Sequence, residues 1–274
     1  MKNLYLSEWD AFIRYYDIPG EGDTVVYLPA LNFPAIANFL PAATHPEMPK
    51  HHALLIDFLG SGFSDHSDKF SYSMEDHAKT VASILDQEDI KSATVVGHSM
   101  GGTVAIMLAL SRPDLVSNLI VGEGNITSGG GTATRNIASH TLAEYVEEVF
   151  PQTRKELFQA AVGGDSMAIL LSGLWLTANA SSLHGNSKSL VELDPSLKDK
   201  FFRLSIPRTF IYGEKSLPEN SGEVGPDTPE PSELEAHGIS IGVVPNAGHI
   251  QMFENLDGFV SVLVQAMKLP SNTK

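Results

Sequence analysis

Apolar residues along this chain fall into two alternating patterns. Short apolar-rich segments read as strands: residues 11–18 (AFIRYYDI), 24–28 (TVVYL), 52–57 (HALLID), 93–97 (ATVVG), 118–123 (NLIVGE), 208–213 (RTFIYG) and 239–245 (ISIGVVP), with 52–57 and 208–213 having the look of strands buried on both faces. Between several of them the apolar spacing changes to that of a helix. Met74, Ala78, Val81, Ala82 and Leu85 share one face, and Ser73 with Asp76 resembles a capping box. MGGTVAIMLALSR (100–112) reads as a second helix. Leu256, Phe259, Val260, Leu263, Val264 and Met267 mark a last one. Strands alternating with helices predict an α/β fold with a mainly parallel sheet. From about 126 to 204 the alternation stops. A Gly-rich lead, TSGGGTATRN, is followed by helix-like LAEYVEEVF, KELFQAAV and SMAILLSGLWLTA. This segment reads as a helical insertion seated on the sheet. The run 219–233, rich in Pro, Gly and acid, reads as an exposed loop.

Composition narrows the function classes. The chain has 274 residues, 18 Lys and Arg against 33 Asp and Glu, and a formal net charge of -15. That balance argues against nucleic acid or an anionic membrane as partner. There is no Cys, which excludes a disulfide scaffold, a thiolate metal site and a Cys nucleophile. The N-terminus, MKNLYLSEWDAFIRYYD, lacks the long apolar core of a secretory signal. No window approaches the roughly 18 apolar residues of a membrane span. These features lead us to expect a soluble cytoplasmic protein acting on a small molecule, with a homodimer left open.

The densest chemistry lies at VVGHSMGG. Gly97-His98-Ser99-Met100-Gly101 matches G-x-S-x-G, the pattern of a nucleophile elbow between a strand and a helix. The turn must hold Ser99 in strained backbone geometry with its hydroxyl exposed, and the two glycines leave room where a Cβ would collide. The helix that follows points its N-terminus at the site and favours developing negative charge. A serine needs a base. Of the 10 His, only His249, in PNAGHIQMFEN, follows the last strand, as the order nucleophile, acid, His requires. His98 lies inside the elbow and is expected to point away from Ser99.

Together with VVYLPALNFP (25–34), DFLGSGFSD (57–65) and IYGEKS (211–216), these motifs resemble the α/β-hydrolase superfamily over nearly the whole chain, and within it the capped, cofactor-free serine hydrolases. The resemblance implies an eight-stranded sheet flanked by helices, a core of residues 1–125 and 205–274, and a helical cap of 126–204. It implies no cofactor and no metal. The backbone N–H groups of Leu31 and Met100 become the oxyanion-hole donors, although Pro29 and Ala30 depart from the family's usual His-Gly. Asp57 and the GSGFSD turn become structural. The family's common acid position, third after Gly213, holds Ser216, which cannot carry a charge against imidazolium. A second arrangement within the family puts the acid at the end of strand six, where this chain has Glu123. The resemblance therefore implies a Ser99–His249–Glu123 triad. Glu214, or a Ser–His dyad with water or another carboxylate, stays open. The expected activity is cleavage of a small to medium, mostly apolar carboxylic ester through an acyl-enzyme, under an apolar ceiling of Phe150, Phe158, Leu170, Leu171, Leu174, Trp175 and Leu176. Alternatives are other cofactor-free chemistry on the same scaffold (C–C hydrolase, lyase, perhydrolase) or a ligand-binding receptor with vestigial turnover.

Overall fold

The structure, a computed structural model, describes residues 1–222 and 225–268. Its centre is one sheet of eight strands: β1 (Lys2–Leu6), β2 (Ala11–Ile18), β3 (Thr24–Leu28), β4 (His52–Asp57), β5 (Ala93–His98), β6 (Val116–Gly122), β7 (Arg208–Gly213) and β8 (Ser240–Val244). Their spatial order is β1-β2-β4-β3-β5-β6-β7-β8. β2 runs antiparallel to β1 and β4, and every pair from β4 to β8 is parallel. The central parallel strands β3 to β7 are almost entirely buried, which is why they read as apolar runs, whereas the edge strand β8 is only partly covered. β1 is an addition to the sequence reading. It is a short edge strand with mostly exposed positions, so its apolar pattern is faint.

Helices α1 (Ala35–Ala43), α2 (Met74–Gln87) and α3 (Met100–Ser111) follow β3, β4 and β5. α2 starts at Ser73, whose side chain accepts the Asp76 N–H. The Asp76 carboxylate accepts from Ser71 and Lys79, so this N-terminus has the cap without the reciprocal half of a capping box. α3 is buried on nearly every face, from Met100 through Ala109. Asp57, at the end of β4, is fully buried. Its two oxygens accept the N–H groups of Ala35 at 2.6 Å and Phe63 at 2.9 Å, tying the start of α1 to the turn after β4. Burial raises its carboxyl, and these two donors oppose that rise.

Between β6 and β7 the described chain is helical: α4 (Thr132–Ala138), α5 (Leu142–Glu144), a π-helical turn at Tyr145–Val149, α6 (Phe150–Val162), α7 (Ser166–Leu174), α8 (Ala180–Val191) and α9 (Leu197–Phe202). The second half of the Gly-rich lead is the start of α4, capped at Gly131. Leu174 packs with Ala30 and Phe33 of the loop after β3, joined by Leu170, Leu171, Trp175 and Ile250. The rest of the chain forms α10 (Pro218–Ser221), α11 (Pro231–Ala236), α12 (Gln251–Glu254) and α13 (Leu256–Met267). Residues 226–229 of the acidic run after β7 are tied to the fold rather than forming a purely solvated connection. Pro226 O accepts the Ile126 N–H at 2.9 Å, and buried Pro229 accepts the Tyr212 hydroxyl at 2.6 Å. Among the described residues no single helix is long and apolar enough to cross a membrane.

Candidate active site

Ser99 stands between β5 and α3 at φ 52°, ψ -121°. A non-glycine residue there carries about 1–3 kcal/mol of backbone strain. The close packing around it explains both glycines of the motif. A Cβ at Gly97 would lie 2.2 Å from the Gly101 carbonyl oxygen, and one at Gly101 would lie 2.1 Å from that of Leu28. The Ser99 N–H donates to Gly122 O at 2.7 Å, which locks the elbow to the end of β6.

His249 lies in the turn between β8 and α12. Its Nε2 is 3.1 Å from Ser99 Oγ, and its Nδ1 is 2.6 Å from Glu123 Oε2. A carboxylate only accepts, so Nδ1 carries the proton and Nε2 is free to accept from the serine. The His249 side chain is 41% exposed, while Glu123 is fully enclosed. Crowding of the ring works against its charged form, but the Glu123 carboxylate outweighs this and raises His249 above its usual value. Burial pushes the Glu123 carboxyl up, and the bond and charge of His249, with donors from Gly213 and Gln251, more than reverse this. The pair therefore favours carboxylate facing imidazolium, the state a general base reaches after taking a proton.

The sequence-predicted residues meet at one point. Glu123, next after β6, adopts φ 45°, which turns its side chain under the His249 ring. Its Oε1 accepts the Gly213 N–H at 2.7 Å and the Gln251 Nε2–H at 3.1 Å. Thus the end of β7, three residues before the family's usual acid position, gives the site a backbone donor. Ser216 sits in the short turn Glu214–Ser216 and makes no bond to His249. Glu214 accepts the Asn246 N–H at 2.7 Å, so it braces the histidine turn from outside. Met100 follows the serine at the start of α3, and Leu31 lies in the loop after β3. Among the described residues neither N–H donates to a protein group, whereas the neighbouring Ala30 N–H is taken by Asn38 Oδ1 at 2.8 Å. Asn38, on α1, thereby holds the loop that departs from His-Gly. Gln251 is the residue that sequence reasoning missed. It is fully buried two positions after His249, and its amide nitrogen bonds both Glu123 and Ile211 O. A buried polar side chain beside the base is the only signal it leaves, and the sequence does not show burial.

His98 points away from the serine hydroxyl; its Nε2 lies 2.7 Å from His249 O. Among the described residues no group of three His, Asp or Glu could hold a metal ion.

Comparison with known proteins bears on the family and the fold. The profile of the alpha/beta hydrolase fold matches residues 23–208. The sn-1-specific diacylglycerol lipase ABHD11 of Mus musculus is 30% identical over 212 residues, covering 72% of this chain and 65% of that protein. The uncharacterized hydrolase YugF of Bacillus subtilis is 36% identical over 72 residues, 26% of each chain. The chain thus spans less than two thirds of the length of these relatives. Two solved structures share its fold along nearly its whole length. The enol-lactonase of Burkholderia xenovorans LB400 has a TM-score of 0.77 at 16% identity, covering 98% of this chain and 100% of that one. The esterase EaEST of Exiguobacterium antarcticum has a TM-score of 0.76 at 19% identity, covering 97% and 99%. With the profile matched over more than half its length, the chain belongs to the α/β-hydrolase family.

Proposed function

We propose that this protein is a serine hydrolase that cleaves a small to medium, mostly apolar carboxylic ester through an acyl-enzyme on Ser99. The observation that carries this reading is the unbroken chain from Glu123 Oε2 through His249 to Ser99 Oγ, at 2.6 and 3.1 Å. His249 Nε2 takes the Ser99 proton as Oγ bonds to the ester carbonyl carbon. The carbonyl electrons move to oxygen, where the N–H groups of Leu31 and Met100 receive the charge. The intermediate collapses, the C–O bond to the alcohol breaks, and the alcohol leaves with the proton from Nε2. Water, deprotonated by the same His249, then attacks the acyl carbon and frees Ser99. Glu123 holds the imidazole in the required tautomer and balances its transient charge.

The helical segment 126–204 serves as the cap, and the apolar side chains of Ala30, Phe33, Leu170, Leu171, Leu174, Trp175 and Ile250 support an apolar acyl or alcohol group. The match to a diacylglycerol lipase adds acylglycerols to the esters worth testing. Hydrolysis of p-nitrophenyl esters of graded chain length, beside a Ser99→Ala control, is the test. Turnover that vanishes in Ser99→Ala supports the reading. A wild-type protein no faster than Ser99→Ala across the panel would leave the ligand-binding alternative in its place.

A further inference from the structure

We propose that His98 is a positioning residue for the base, gripping the main chain of His249 from the nucleophile's own strand. This rests on the serine-hydrolase reading above and adds a residue to its machinery. His98 is the last residue of β5, immediately before Ser99. It is 1% exposed, and its Nε2 lies 2.7 Å from the His249 carbonyl oxygen. A carbonyl only accepts, so Nε2 carries the proton and donates. Nδ1 is buried and has no partner among the described residues. The His98 and His249 ring centroids are 5.2 Å apart.

The rest of the histidine turn is held from the other side. Lys215 N–H donates to Ala247 O at 2.8 Å, Glu214 accepts from Asn246, and a Cβ at Gly213 would meet Gly248 O at 2.2 Å. All these grips come from the end of β7 and precede His249 in the chain. His98 supplies the grip from β5. Because Ser99 is its next neighbour, the bond couples the backbone position of the base to that of the nucleophile. A displacement on the order of 1 Å between reacting groups costs about 10²-fold in rate.

A second positive charge beside His249 would oppose formation of the imidazolium. Burial and the neighbouring His249 ring hold His98 down at about 4, against smaller opposing pulls from the bond to the His249 carbonyl and from Glu123, so it stays neutral wherever His249 works. It therefore acts through its N–H and its shape, and it carries no proton in the reaction.

The test compares His98→Phe with His98→Gln, whose amide nitrogen can reach the place of Nε2. In p-nitrophenyl ester hydrolysis we expect His98→Phe to lose about 10–100-fold in kcat with KM changed less than about threefold. His98→Gln should recover most of the loss, with the pH midpoint of kcat/KM unmoved. Should His98→Phe not fold, His98→Met takes its place. An apolar variant with wild-type kcat overturns the proposal. So does equal impairment of the apolar and Gln variants at equal thermal midpoints. If wild type itself neither hydrolyses esters nor reacts with a fluorophosphonate, the hydrolase reading falls, and this inference with it. An active wild type beside an equally active His98→Phe removes only the inference.

Discussion

Glu123 occupies a backbone conformation that few non-glycine residues adopt, φ 45°, and so does Ser99 at φ 52°. In Ser99 the strain projects the hydroxyl; in Glu123 it turns a strand-end carboxylate inward. Replacing Ser99 with glycine should relieve strain that alanine retains. Ser99→Gly is therefore expected to be more stable than Ser99→Ala by about 1 kcal/mol in urea unfolding, the gain being reduced by glycine's looser unfolded chain. Ser99→Ala equal to or above Ser99→Gly would mean that the elbow stores no strain. The pH dependence follows from the same residues. His249 must be neutral to accept a proton, and its value is raised from the usual 6.5. Hence kcat/KM should climb with pH through a midpoint above 6.5. In Glu123→Gln the carboxylate no longer opposes the crowding of the ring, so the midpoint should move down even as the rate falls. A midpoint that stays put in that variant would assign the shift to another carboxylate. Ser216→Ala should keep wild-type rate and pH profile.

At the scale of elements, the site is a meeting of strand ends. β5 carries Ser99, β6 leads into Glu123, and β7 donates from Gly213 and presses on the turn after β8. Gly213→Ala would drive a methyl group into the Gly248 carbonyl. We expect a modest loss of stability, about 1–3 kcal/mol, and a disproportionate loss of kcat as the histidine turn is pushed from Ser99. Wild-type kcat in a folded Gly213→Ala would show that the turn yields without cost. Asp57→Asn places an amide N–H against one of two backbone donors, Ala35 or Phe63. It should lose about 1–3 kcal/mol, read as a lower urea midpoint. Most of this level was legible in the sequence. The central parallel strands β3 to β7 are apolar runs because both faces are buried, and the serine motif needs its two glycines for contacts that the structure shows. What the sequence hides is conformation and burial. Nothing in NLIVGEGN declares that Glu123 takes φ 45°, nor that Gln251 is buried against it. α1 begins after Pro34 and contains Pro41, which masks its helical pattern. α8, ASSLHGNSKSLV, buries Ser182, His184, Asn186 and Ser187 beside only Leu183 and Leu190, so its inner face is largely polar and its apolar period is weak.

For the whole molecule, α7 and the residues after it pack on the loop after β3. Trp175 stacks on Phe150, ring centroids 5.3 Å apart, and packs against the loop that carries Leu31. Trp175→Ala should lower kcat/KM more for long acyl chains than for acetate, chiefly through KM. A uniform change across chain lengths would place the acyl group elsewhere. The central claim is that Glu123, through His249, activates Ser99. Its most direct test is the rate at which a fluorophosphonate modifies the protein, with the labelled residue located by mass spectrometry, in wild type and in Glu123→Gln. The predicted result is a single label on Ser99, formed at least about a hundredfold more slowly in Glu123→Gln. A label on another residue, or equal rates in the two proteins, would contradict it.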